Sequence, residues 1–333
     1  MAIEARLRVR RYDPESGREP YYQDYETRVP EWGTVLDALI QIREEQDGTL
    51  TLRCSCRSAI CGSCAMKING ESALACKTKL VDIASDGEAV TVEPMGNQPV
   101  VRDLVVDMAP FWDKIRAVQP YLQPDGPPET GREYLAPNEA MQHLTGVMNC
   151  IMCGACVSQC TVLEIDEKFL GPAALAKAYR FAADPRDDKT QERLVDLFDM
   201  DGGMWDCTHC FECVQVCPKG VEPMERIVKL REMAMDAGLK DHNGVRHSKA
   251  FADSVEHSGW LDENQLAVKS YGMFNIKDQL DNLPIALRML TSGKMPNPIH
   301  RPISSVKEVR RVFKETEEQH KQQTPEPTSQ GEA

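Results

Sequence analysis

Ile3, Ala5, Leu7 and Val9 alternate with Glu4, Arg6, Arg8 and Arg10, a period of two that predicts a strand with one buried face. The DPESG stretch that follows reads as a turn and Tyr21–Val29 as a second strand, together a hairpin. Thr34 is placed to cap a helix through Arg43, with Val35, Leu36, Leu39 and Ile40 on its apolar side. Short strands are expected near Leu50–Leu52 and Ala89–Val92. These elements predict an α+β unit closing near residue 105.

Beyond it the pattern changes. Pro120, Pro124, Pro127, Pro128 and Pro137 mark Gln119–Pro137 as a linker or an extended strap. From Asn138 the periodicity is helical. Gly171-Pro172 opens AALAKAYRFAAD, Thr190 is a candidate cap for QERLVDLFDM, and Pro223 stands ahead of MERIVKLREMAMDAG with Gly238 as its C-cap. The expected organisation is a first domain at 1–108, a connector at 109–138, a helical domain at 139–239 and an extension at 240–314. The polar tail 315–333 is expected to be disordered.

The net charge of −13 over 333 residues argues against nucleic acid or an anionic membrane surface as the main partner. No apolar run is long enough to cross a bilayer, and the first residues lack an apolar leader segment. Arg10-Arg11 is followed by polar residues, unlike a twin-arginine signal. The chain is expected in the cytoplasm, with any membrane contact made through a partner.

All 13 cysteines lie between Cys54 and Cys217. Reduced cytosolic thiols and the length of the chain argue against disulfides, and the short spacings point to metal. Cys56-x₄-Cys61-x₂-Cys64 followed by Cys76 has the spacing of a plant-type [2Fe–2S] site. Gly62 and the small Ser58, Ala59 and Ser63 let that loop curl, so that its N–H groups can point at cluster sulfurs. Cys54 reads as a small buried apolar residue, with a substitute-ligand role as the weaker alternative.

Cys207-x₂-Cys210-x₂-Cys213-x₃-Cys217-Pro218 has the bacterial ferredoxin spacing, and Cys150, Cys153, Cys156 and Cys160 repeat it with Thr161 in place of the proline. In two-cluster ferredoxins the fourth cysteine of each run serves the other cluster. Cys150, Cys153 and Cys156 are therefore expected to join Cys217, and Cys207, Cys210 and Cys213 to join Cys160. Zinc is the competing reading, disfavoured by the C-x₃-C-P ending and by the repetition of whole runs. No glycine-rich dinucleotide fingerprint or nucleophile–base pair stands out. The chain is read as an electron wire of one [2Fe–2S] and two cubane-type clusters, without substrate chemistry of its own.

The words CRSAICGSCAMKING, ALACKTKL, DLVVDMAPFWDKI, CIMCGACVSQC and CPKGV together resemble the iron–sulfur subunit of succinate dehydrogenase and fumarate reductase, over residues from about 3 to 235. The resemblance implies a plant-type ferredoxin (β-grasp) domain followed by an all-α two-cluster domain. It also implies an FAD-containing flavoprotein partner and a membrane-anchor partner where quinone reacts, in a complex on the cytoplasmic face. Cys56, Cys61, Cys64 and Cys76 would hold the flavin-side cluster, Cys150, Cys153, Cys156 and Cys217 the middle [4Fe–4S], and Cys160, Cys207 and Cys213 the last.

Two departures qualify it. Most members lack a cysteine at the position of Cys210 and carry [3Fe–4S] there. Here Cys210 would complete a second [4Fe–4S]; the alternative is a free thiol beside a three-iron cluster. After Cys160 the chain reads TVLEID where members have Pro-Ser and a tryptophan near the quinone, leaving His209 and Trp205 as candidate quinone-side neighbours. The extension is longer than usual, and direction of electron flow is left open. Competing assignments are a subunit of another flavin-linked oxidoreductase, of the glycolate oxidase or heterodisulfide reductase kind, and a zinc-stabilised scaffold.

Overall fold

The computed structural model describes residues 2–84, 88–128, 131–272, 274–297 and 301–323. The chain divides into two compact units, Met1–Ala237 and Gly238–Ala333.

In the first unit β1 (Ala2–Arg11) and β2 (Tyr21–Pro30) form the expected antiparallel hairpin. Ala5, Leu7 and Val9 of β1 and Tyr25 and Val29 of β2 face inward. α1 (Val35–Glu45) starts at Thr34 with a full capping box: Asp37 N–H donates to the Thr34 hydroxyl while the Asp37 carboxylate accepts from Thr34 N–H. Leu36, Leu39 and Ile42 of α1 join the core. β3 (Ala65–Ile68), β4 (Glu71–Leu74), the short α2 (Leu80–Ile83) and β5 (Val90–Glu93) follow. The sheet order is β2-β1-β5-β3-β4, with β1 and β5 parallel and the other neighbours antiparallel. β6 (Val100–Arg102) and β7 (Val105–Val106) make a separate small ribbon.

Leu50–Leu52 is not a strand, contrary to expectation. Leu50 and Leu52 are buried, but the backbone is held by Asp103, whose carboxylate accepts from Thr51 N–H at 2.9 Å, while Leu104 N–H donates to Thr51 O at 3.2 Å. Asp103 also binds Arg11, which sits at the end of the inward face of β1 and reaches Asp47, Thr49 and Gln23 as well. This buried cation is tolerated because acceptors surround it.

The connector is not uniform. Residues 109–117 form α3 (Ala109–Ala117), with Phe111 and Ile115 buried and the helix packed on residues 171–182. A strap from Val118 then runs through the proline-rich stretch to α4 (Asn138–Gln142). The buried Arg193 guanidinium holds the strap, donating to the carbonyls of Val118, Gln119 and Tyr121 at 3.1, 2.8 and 2.7 Å. α5 (Ala155–Ser158), α6 (Gly171–Ala182), α7 (Thr190–Asp199), α8 (Glu212–Gln215) and α9 (Pro223–Asp236) complete the unit. Thr190 does not cap α7. It is the first helical residue, and its hydroxyl instead donates to Ala182 O at 2.9 Å. Gly238 follows α9 with φ +88°, the left-handed residue that ends many helices.

The second unit holds α10 (Asn243–Ser258), α11 (Glu263–Tyr271), α12 (Ile276–Thr291) and α13 (Val306–Gln323). α10 packs on α11 and α13. The expected disorder from Glu315 is overturned as far as Gln323, where α13 continues, braced by Arg311–Glu315 and Lys314–Glu318 ion pairs at i,i+4. The rest of that tail lies outside the described residues. No described helix is long and apolar enough to cross a membrane.

Candidate metal centres

The first cysteine loop curls as its small residues allow. Arg57, Ala59 and Gly62 take positive φ of +53°, +53° and +73°. This turns backbone N–H groups onto sulfur: Ser58, Ile60 and Cys61 donate to Cys56 Sγ at 3.4, 3.4 and 3.3 Å, and Ala59 donates to Cys76 Sγ at 3.3 Å. The Ser63 hydroxyl, then the N–H groups of Cys56 and Ser63, pull the exposed Cys61 thiol down to about 6. Burial pushes Cys64 up to about 12, with the Cys76 and Cys61 thiols close enough to add to it. All four cysteines of this group therefore meet. Cys54 does not join them in any bond and packs against the core, half-buried.

The two later runs repeat each other in backbone as well as in sequence. Met152 and Gly154, flanking Cys153, have φ +55° and +80°; His209 and Phe211, flanking Cys210, have φ +57° and +67°. One short helix follows each, α5 capped at Gly154 and α8 capped at Phe211. Cys210 thus occupies in its run the place Cys153 occupies in the other. Side chains such as His and Phe pay for the left-handed conformation, so the repeat is imposed by the loop and not by residue preference.

Across the runs the cysteines regroup. Cys153 lies within electrostatic reach of Cys150 and Cys217, and the half-buried Cys156 within reach of Cys153, Cys150 and Cys217. A cavity is lined by Cys150, Cys153, Cys156 and Cys217. Cys160 is near Cys210 and Cys207, and Cys213 near Cys207, Cys210 and Cys160. Burial raises Cys153, Cys156, Cys160, Cys207 and Cys213, the last to about 12. Thiols this protonated ligate only by giving up a proton to metal. Among the described residues no His, Cys, Asp and Glu set converges on a single-ion position.

The three groups sit in series. An added Cβ on Gly62 would lie 2.7 Å from Cys153 Cβ and 2.9 Å from Cys153 Cα, so the first loop rests directly on the second run. Cys156 in turn senses Cys213 of the third group. Polar bonds lock the halves: Ser72 Oγ donates to Ser158 Oγ at 2.7 Å, and Asn97 Nδ2 to the carbonyls of Val157 and Cys160 at 2.8 Å each.

Around the last group, Thr161 Oγ1 lies 3.5 Å from Cys210 Sγ, so the residue replacing the expected proline meets the additional cysteine. Trp205 packs edge-on against Phe198 at 5.9 Å and under the Arg231 guanidinium at 4.8 Å. Arg231 is buried and donates to Met204 O and to Cys207 O at 2.9 Å, and meets His209 Nε2 at 2.6 Å. Since arginine only donates, His209 Nε2 accepts and Nδ1 carries the proton. Burial first, and the Arg231 charge second, lower the His209 pKa. His209 is exposed, whereas Trp205 is a packing residue. Arg231 was not among the residues singled out from sequence. Its signal is register: it falls on the α9 stripe of Met224, Ile227 and Ala234, where an apolar residue belongs.

This is the arrangement of an iron–sulfur electron carrier, a [2Fe–2S] domain continued into a helical dicluster domain. A family profile described as a 2Fe-2S iron-sulfur cluster binding domain matches residues 6–113, and one described as a 4Fe-4S dicluster domain matches residues 146–221. The 8-methylmenaquinol:fumarate reductase iron-sulfur subunit of Wolinella succinogenes is 33% identical, covering 87% of this chain and 90% of its own. The fumarate reductase iron-sulfur subunit of Mycobacterium tuberculosis is 42% identical over 70% of this chain and 94% of its own. A solved structure, the Mycobacterium smegmatis Sdh1 complex in the apo form, superposes with TM-score 0.62 and 27% identity, over 71% of this chain and 98% of that one. The chain belongs to the iron–sulfur subunits of succinate dehydrogenase and fumarate reductase. It carries a [2Fe–2S] cluster and [4Fe–4S] clusters.

Proposed function

We propose that this subunit passes electrons between an FAD-containing flavoprotein and a quinone at a membrane-anchor subunit, on the cytoplasmic face, as part of a succinate:quinone oxidoreductase. The clusters supply one-electron carriers at three successive stations. Cys56, Cys61, Cys64 and Cys76 hold the first; Cys150, Cys153, Cys156 and Cys217 the second; Cys160, Cys207, Cys210 and Cys213 the third. The observation that carries the reading is the direct seating of Gly62 on Cys153, with Cys156 within electrostatic reach of Cys213, which supports placing the three thiol groups in succession.

The chain's own part is to fix spacing and potential. N–H donors at Ser58, Ala59, Ile60 and Cys61 favour negative charge on sulfur. The Arg231 cation does the same beside Cys207, and it orients His209 so that Nδ1–H is available at the exposed end. The backbone repeat around Cys153 and Cys210 supports a four-thiol third site, hence a second [4Fe–4S] in place of [3Fe–4S].

Electron flow from a quinol to fumarate is a second reading. One observation favours it: the quinol:fumarate reductase relative covers 87% of the chain, more than residues 1–237 comprise, and so shares part of the second unit. Purification of the native complex tests both. Succinate-dependent quinone reduction exceeding quinol-dependent fumarate reduction supports the first reading; the reverse ratio supports the second. A co-purifying flavoprotein with neither activity refutes both.

A further inference from the structure

α12 presents an apolar stripe that nothing among the described residues of its unit covers. Ile276, Leu280, Leu283, Leu287 and Leu290 follow a 4,3,4,3 spacing and so share one helix face. They are 72, 60, 49, 52 and 63% exposed. α12 meets α11 along one edge of this stripe, where Gln279 Nε2 donates to the carbonyls of Val268 and Gly272, and the stripe residues themselves stay exposed. Phe274 before the helix and Met295 after it are also exposed.

The charge around this face differs from that of the rest of the molecule. The chain carries 52 acidic residues against 39 basic ones. Yet from Asn282 to Lys307 there is no Asp or Glu, while Arg288, Lys294, Arg301 and Lys307 are all present and exposed. No other acid-free stretch of this sequence is as long; the next two hold cluster cysteines. The first half of α12 holds Asp278 and Asp281 in its sequence, but its second half and the segment after it hold only cations, and an exposed leucine stripe running into that segment matches the chemistry of an anionic lipid headgroup layer. The overall charge of −13 therefore misdescribes this region.

We propose that α12 lies in the interfacial plane of an anionic membrane, its leucine stripe inserted among acyl chains and Arg288, Lys294 and Arg301 at the headgroups. This contact is direct, and separate from any anchor subunit.

The test is flotation of the full cluster-loaded chain with vesicles of phosphatidylcholine alone and of phosphatidylcholine with roughly a quarter phosphatidylglycerol. Binding is expected to the anionic vesicles, weakening as salt rises from about 0.1 to about 0.5 M. The double variant Leu283→Glu, Leu287→Glu should lose binding by more than about tenfold. Arg288→Glu with Lys294→Glu should lose roughly fivefold per residue on anionic vesicles only. Ile285→Glu, on the opposite face of α12, should bind within about twofold of the parent. Circular dichroism and visible absorption confirm that each variant keeps its helices and clusters; the altered side chains are exposed. Absence of vesicle binding overturns the proposal, as does equal, salt-independent binding to both vesicle types. So does a dimer in light scattering that the double leucine variant dissociates, since a second copy then covers the stripe.

Discussion

Gly62→Ala tests the seating of the first cysteine loop on the second run. Two costs follow from the geometry. At φ +73° an alanine pays about 1–2 kcal/mol that glycine does not. Its Cβ would stand 2.7 Å from Cys153 Cβ and 3.3 Å from Cys153 N, with backbone at 2.9 Å, so loop or run must retreat by several tenths of an ångström. Overpacking of this kind costs about 1–3 kcal/mol. The total, about 2–5 kcal/mol, is a large share of a typical domain's stability but leaves it folded. Gly70 is the control, with φ +86° and nothing within 4 Å of an added Cβ, so Gly70→Ala pays the conformational cost alone. Followed by visible absorbance on heating, Gly62→Ala should lower the apparent Tm by about 5–15 °C and Gly70→Ala by less than half as much. Stopped-flow reduction should show slower transfer out of the [2Fe–2S] cluster in Gly62→Ala only. Equal effects of the two substitutions would mean the loops do not touch, and the serial arrangement would fail with them.

Other outcomes are as specific. Cys217→Ser should remove the cluster of the Cys150 run and Cys160→Ser that of the Cys207 run; EPR of each variant showing loss in its own run instead refutes the exchange of fourth ligands. Arg231→Gln should lower the midpoint potential of the last cluster and cost about 2–3 kcal/mol, because a buried cation beside Cys207 is lost; an unchanged potential in an EPR redox titration contradicts that role. Asp184 is buried, which alone would raise its pKa, yet the Arg186 and Arg180 guanidiniums hold it at about 2. A depressed carboxylate stabilises fully above its unfolded pKa near 3.9 and loses that contribution as pH falls to about 2. Asp184→Asn should therefore be less stable by about 2 kcal/mol at neutral pH, the gap closing between about pH 4 and pH 2 in urea titrations.

The sequence disclosed most where one residue type has few physical meanings. Thr34 and Asp37 form the capping box that opens α1, and the alternation in β1 set its inward face. Cysteine spacing pointed to three thiol groups. The failures have different causes. Leu50–Leu52 is apolar and buried, but Asp103, far along the chain, takes the amide a ladder would have used. β3 and β4 are short and embedded in the cysteine motif; their signal is Asn69-Gly70, with φ +50° and +86°, a turn that favours a two-residue hairpin. α3 was hidden by its place between a ribbon and a proline-rich strap, though Phe111 and Ile115 fall at helical spacing. Arg231 was illegible as a site residue because its partners are backbone carbonyls of Met204 and Cys207, which no side-chain motif announces. The stripe of α12 was not singled out from the sequence, since only the structure shows that no neighbour among the described residues covers it.

The role of Cys210 bears most directly on the account, since it decides whether the two runs are true repeats. EPR of the oxidised, anaerobically prepared complex, with iron and sulfide analysis, measures it. Four thiols at the third site predict no three-iron signal in the oxidised protein and roughly ten irons per chain, the sum of one two-iron and two four-iron clusters. A stoichiometric oxidised three-iron signal with roughly nine irons would contradict it, leaving Cys210 a free thiol beside the last cluster.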